Sequence, residues 1–156
     1  MAQLTLRKAQ EKDVDTLVTF GTHAMQQTFG TIFSQQQMAQ WMAPEALGRS
    51  IEETLPDTTL AEWDGKVIGA IAANEKGIAY LWTAKEFEGR GIERMLLTRL
   101  ESEMMNRGKH HLKYECFADL KDKTEFLEDQ GYLKTKESID PVFGIAKATF
   151  EKSLGL

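Results

Sequence analysis

The sequence predicts an α/β domain of the α+β kind, with a mixed, mostly antiparallel twisted sheet flanked by helices. Three features carry that prediction. A period-two apolar pattern opens the chain and returns in HLKYECF. Between these, extended runs separated by turn residues read as consecutive antiparallel strands. Apolar residues at i, i+3, i+4 and i+7 mark helices on either side of that meander.

In chain order, Leu4 and Leu6 alternate with Gln3, Thr5 and Arg7 as a short opening strand. From Asp13 the period changes: Val14, Leu17, Val18 and Gly21 fall on one side of a helix. Ser34 to Thr54 is rich in Gln, Met, Ala and Glu and predicts one or two helices split near Pro44. The runs TTLAEW and KVIGAIAA flank Asp64-Gly65, a dipeptide suited to a tight hairpin turn. A second turn at Asn74 to Gly77 leads into IAYLWT and completes a three-stranded meander.

After a glycine-containing loop, Ile92, Met95, Leu96, Leu100 and Met104 give a long amphipathic helix ended by Asn106-Arg107-Gly108. HLKYECF is the next strand, and Asp119 to Gln130 the next helix, with Phe126 and Leu127 inward and Gly131 as its stop. Phe143 to Lys152 predicts one or two closing strands. At 156 residues the whole chain, 1–156, is read as a single domain large enough to bury a core.

Composition excludes several classes of function. Nineteen basic against 24 acidic residues, without long like-charge runs, give a net charge of −5 and no basic stripe for nucleic acid. The single cysteine, Cys116, leaves no partner for an intrachain disulfide and too few thiolates for a usual structural zinc site, which points to a reducing, cytoplasmic setting. MAQLTLRKAQ lacks the apolar core of a signal peptide, and no stretch is long and apolar enough for a membrane helix.

A strand end, a loop and a helix start present unpaired backbone N–H groups and the positive end of a helix dipole, a combination suited to a pyrophosphate. Gly89 and Gly91 fit such a loop, because phosphate oxygens approach the main chain closely and some residues there need positive φ. The segment EFEGRGIERMLLTRLE, Glu86 to Glu101, resembles the acetyl-CoA motif of the GNAT N-acetyltransferases: Gln or Arg, two residues, Gly, any residue, Gly or Ala, then an amphipathic helix. LTLRKAQEKDVDTL and EFLEDQGY are similar to that family's opening and late elements, and QQTFGTIF is similar to its PaiA-type polyamine acetyltransferases.

The resemblance implies the GNAT acyl-CoA N-acyltransferase fold, acetyl-CoA as cosubstrate, and transfer of acetyl to the amine of a small metabolite or peptide in a ternary complex. It leaves room for a homodimer. It assigns acetyl-CoA binding to the main chain of Leu81, Trp82 and Thr83 and to Glu88, Gly89, Arg90, Gly91, Ile92 and Glu93. Glu88 stands where the family has Gln or Arg, and Glu93 where it has a small residue, so two carboxylates enter a phosphate loop. Arg90 or Arg94 could offset them or swing outward.

Acetyl transfer to an amine also needs a proton acceptor and an acid for the leaving thiolate. The family's late-helix tyrosine is replaced by Leu127, in Phe126-Leu127. Tyr114 is the candidate acid and Glu75 the candidate base, with Tyr80 and Glu115 as alternatives; each also reads as an ordinary strand residue. Tyr132 reads as an aromatic packing position. Phe29, Phe33 and Trp41 read either as an acceptor pocket or as core, and so does Trp82. His110 and His111, neighbours at a strand start, point to opposite faces, and no metal site is expected. The alternative to an enzyme is a degenerate domain that keeps the scaffold for CoA sensing or interaction with little or no turnover.

Overall fold

The computed structural model describes residues 3–34, 36–38 and 44–155. The chain forms two compact units, Met1–Leu100 and Glu101–Leu156.

In the first unit, β1 (Leu4–Lys8) is followed by a 3₁₀ turn (Glu11–Asp13), α1 (Val14–Phe29) and α2 (Pro44–Thr54). Then come β2 (Thr58–Trp63), β3 (Lys66–Asn74) and β4 (Gly77–Thr83), and α3 (Ile92–Asn106) crosses into the second unit. The strands lie in the order β1-β2-β3-β4, each pair antiparallel. The β2–β3 turn has Asp64 at φ 50° and Gly65 at φ 81°, the two left-handed residues a tight hairpin requires. At the β3–β4 turn the Asn74 carboxamide oxygen accepts the N–H groups of Lys76 and Gly77 at 2.8 and 3.2 Å.

Leu17 and Ala24 of α1 and Ile51 of α2 form one core with Leu60, Ala70, Ala72, Tyr80 and Trp82. Strand alternation sends Gly69 to the opposite face. There an added Cβ would lie 3.0 Å from Ile92 Cγ2 and 3.1 Å from Leu96 Cδ1, so α3 covers that side. Arg7 ties β1 to both neighbours: its Nη1 and Nη2 donate to the Asp13 carboxylate at 2.8 Å each, and its Nε to Glu62 at 2.9 Å.

The second unit holds β5 (His111–Phe117), α4 (Lys121–Asp129), β6 (Leu133–Ile139) and β7 (Ala146–Ser153), with strands in the order β5-β7-β6, again antiparallel. Gly131, at φ 92°, ends α4 and turns Tyr132 inward. Tyr132 is fully buried; its hydroxyl donates to Glu101 at 2.7 Å, and Lys152 donates to the same carboxylate at 3.1 Å. This confirms its packing role and supplies the polar partner that a buried phenol needs.

One element departs from expectation. The closing segment from Phe143 yields β7 alone, while LKTKESI, for which no strand was expected, forms β6. All seven residues of β6 are exposed, with a register shift between Lys134 and Lys136, so no apolar alternation marks it. Among the described residues no helix is long and apolar enough to cross a membrane.

Candidate functional site

β4 runs out at Thr83 into a 3₁₀ turn, Lys85–Phe87, pinned to β3 by the Ala84 N–H donating to the Ile68 carbonyl at 2.8 Å. Glu88 is extended, and Gly89 and Gly91 adopt φ of 78° and 80°. The Met95 N–H donates to the Gly91 carbonyl at 3.0 Å, so Gly91 caps α3 and Ile92 begins it. Ile92 is buried against the Gly69 side of the sheet, whereas residues 88–91 are exposed. The helix start is therefore anchored and its approach is bare.

A Cβ built on Gly89 or Gly91 meets nothing within 4 Å. Glycine is demanded here by left-handed backbone and not by crowding, and the main chain is left open on that side. First-turn amides, the helix dipole and open left-handed glycines are a combination suited to a phosphate.

The local charge is mixed. Glu88 and Arg90 are exposed and Glu93 is half-buried. The Arg90 guanidinium lies over the Phe87 ring, 5.0 Å from its centroid, and Phe87 in turn packs against Trp63 at 5.9 Å. Neither aromatic was singled out from the sequence. The clue available there was that one follows the extended TTLAE run at the Asp-Gly turn and the other precedes the glycine loop.

On β4, Leu81 and Trp82 have buried side chains and Thr83 is half-buried. Trp82 stacks on Tyr80 at 3.8 Å, meets the edge of Phe20 at 6.5 Å and abuts Gly21, where a Cβ would lie 2.4 Å from the indole. Of the two readings for the Trp82 side chain, core packing is the one found. Any contact Leu81 or Trp82 offers a ligand is thus a main-chain contact. Phe33 is buried beside Phe29, at 6.3 Å between rings, and Trp41 lies outside the described residues.

The candidates for proton transfer lie on different elements. Tyr114 is buried on β5, opposite Phe150 of β7, in the second unit. Glu75 is exposed on the β3–β4 turn, at the other end of β4 from the glycine loop, which gives a role as base no geometric support. Glu115 is engaged by Lys147 at 2.8 Å, and that carboxylate raises the Lys147 ammonium. Tyr80 is buried beside Thr54 and Thr58; burial pushes its hydroxyl up to about 12, the wrong direction for an easily ionised group.

His110 is exposed and His111 meets Glu151 at 2.5 Å. Burial pushes the Cys116 thiol up to about 11. Among the described residues no three His, Cys, Asp or Glu side chains are grouped to hold a metal ion.

A family model for the acetyltransferase (GNAT) domain matches residues 20–153. No curated protein matches the sequence. Among solved structures, the chain is similar to a GCN5-related N-acetyltransferase from Rhodopseudomonas palustris, with TM-score 0.81, 20% identity, and 96% of this chain and 95% of that one covered. It is similar to the PaiA N-acetyltransferase of Thermoplasma acidophilum, solved with coenzyme A, with TM-score 0.77, 18% identity, and 97% and 99% covered. YncA of Salmonella typhimurium, solved with acetyl-CoA, gives TM-score 0.71, 18% identity, and 99% and 95% covered.

Proposed function

Because the chain belongs to the GNAT acetyltransferase family, we propose that it is an acetyl-CoA-dependent N-acetyltransferase of the cytoplasm, working as one domain over 1–156. It passes acetyl directly to the amine of a small metabolite or peptide. The observation that carries this reading is the loop at the start of α3, where Gly89 and Gly91 are left-handed, unobstructed and fixed to a helix anchored on Gly69.

In this reading the main chain of Leu81, Trp82 and Thr83 receives the pantetheine and acetyl groups. The segment from Glu88 to Glu93 receives the pyrophosphate on its amides. Tyr114 is the group proposed to protonate the leaving thiolate. The amine must arrive uncharged or lose its proton to solvent, since Glu75 is remote from the loop along β4.

A second reading, binding without turnover, draws on two observations. Glu88 and Glu93 place carboxylates in the anion loop, and Leu127, fully buried, stands where the resemblance expects a tyrosine.

Titration of acetyl-CoA by calorimetry, followed by assay of free thiol release over a panel of amines and peptides, separates the readings. Binding with turnover on at least one amine is expected, and Tyr114→Phe should lower that turnover while leaving acetyl-CoA affinity nearly constant. Binding with no turnover on any acceptor favours the second reading. No binding at all would sink both.

A further inference from the structure

Trp63 and Phe87 lie 24 positions apart, on different elements, yet meet beside the glycine loop at 5.9 Å with their planes 54° apart. Both residues are half-buried. The Arg90 guanidinium lies over the Phe87 ring, 5.0 Å from its centroid. The three groups form a ladder that begins at the β2–β3 hairpin and ends in a cation.

Arg90 lies between the two left-handed glycines, with open space at both. A flexible Gly-x-Gly arch would by itself leave a long basic side chain free to sample many rotamers, a freedom lost when a ligand fixes one of them. Stacking a planar guanidinium on an aromatic face removes part of that freedom in advance and leaves its edge donors available. With Glu88 and Glu93 nearby, a cation held at one place is also what an arriving dianionic group needs to overcome local repulsion.

We infer that Trp63 and Phe87 are positioning residues that hold Arg90 as the cationic arm of the loop, poised on a phosphate oxygen of the CoA nucleotide. This rests on the proposed acetyl-CoA reading. The recognised chemistry is a phosphate oxygen, which the nucleotide offers both in its pyrophosphate and in its 3′-phosphate.

The test is a double-mutant cycle on affinity, with CoA and dephospho-CoA titrated separately into wild type, Arg90→Gln, Phe87→Leu and the double variant. Arg90→Gln should weaken CoA binding about tenfold and flatten its salt dependence. Phe87→Leu should weaken it severalfold in the presence of Arg90 and hardly at all in the Arg90→Gln background, a non-additivity that a merely structural ring would not produce. Phe87→Tyr, which keeps the aromatic face, should restore wild-type affinity, and Trp63→Leu should behave as Phe87→Leu does. Equal losses on both ligands assign the arm to the pyrophosphate, and a loss confined to CoA assigns it to the 3′-phosphate.

Arg90→Gln alters an exposed side chain, so its result stands even if an aromatic variant folds poorly. Unchanged affinity in Arg90→Gln, or a Phe87→Leu effect of the same size with and without Arg90, overturns the inference while wild-type binding leaves the acetyl-CoA reading in place. Failure of wild type to bind either ligand overturns both.

Discussion

At Gly21 an added Cβ would lie 2.4 Å from the Trp82 ring, and at Gly69 it would lie 3.0 Å from Ile92, but at Gly89 and Gly91 it would meet nothing within 4 Å. The same residue type is required in one place because space is missing, and in the other because the backbone is left-handed in open space. The crowded glycines set how close α1 and α3 come to the sheet. The open ones leave main chain uncovered where α3 begins. Close packing and open main chain thus fall to separate glycines; in the proposed function the open ones face the ligand, and substitutions should separate the two roles experimentally.

The largest effect is expected at the crowded seam. Gly21→Ala forces the indole out of its place between Tyr80 and Phe20; overpacking of about 3 kcal/mol, less about 1 kcal/mol gained in helix propensity, leaves a net loss of about 2 kcal/mol. Thermal unfolding should fall by about 5 °C. An unchanged midpoint would mean that Trp82 yields freely, and the contrast between the two kinds of glycine would fail.

Gly91→Ala is next and should act mainly on binding. Strain of about 1–2 kcal/mol at positive φ, relieved by rotating the loop amides, should weaken acetyl-CoA binding about tenfold, with a smaller change in melting than Gly21→Ala. A calorimetric affinity equal to wild type would show that these amides do not face the ligand.

Glu88→Gln with Glu93→Ala tests the charge in the open region and should tighten acetyl-CoA by about tenfold or more, reaching about thirtyfold if each carboxylate costs about 1 kcal/mol near the phosphates. The gain should shrink in high salt when charge is its cause and persist when bulk is. Tight wild-type binding unmoved by both changes would mean that the two side chains turn away from the ligand.

The smallest effect concerns the clamp beneath the packed region. Hydrogen bonding by the Arg7 guanidinium holds the Asp13 carboxyl below its ordinary value of 3.8. A depressed carboxylate contributes stability that is complete above the ordinary value and disappears as pH falls through the lower, folded one. Because Arg7 is partly exposed, that contribution is about 1 kcal/mol. Melting from pH 7 down to pH 3 should show a steeper acid decline in wild type than in Asp13→Asn. Parallel curves would remove Asp13 from the acid response.

Where local chemistry decides structure, the sequence was legible. Asp64-Gly65 and Asn74 to Gly77 mark their turns by the conformations and hydrogen bonds they support, and HLKYECF alternates because one face of β5 is buried. The loop at Gly89 and Gly91 was legible for the same reason, since positive φ is a property of single residues. β6 was not, because a strand without a buried face carries no period. The Trp63–Phe87–Arg90 ladder and the partnership of Tyr132 with Glu101 were also hidden, because both join segments far apart in the chain. The side chain of Trp82 shows the limit from the other direction: its place on β4 was readable, but only the close approach of Gly21 settles that the indole belongs to the core.

β6 stands outermost in the order β5-β7-β6, so one row of its backbone groups faces away from its partner strand. Such a row invites strand addition by any unfolded or partly folded chain, the first step toward amyloid-like stacking. Here the invitation is withdrawn by the sequence that made the strand hard to recognise. The strand carries Lys136 and the Lys134–Glu137 ion pair at 3.0 Å, and the register shift between Lys134 and Lys136 interrupts the straight ladder that an incoming strand would need. The same absence of apolar alternation that hides β6 from pattern reading therefore protects the protein from templated aggregation at high concentration.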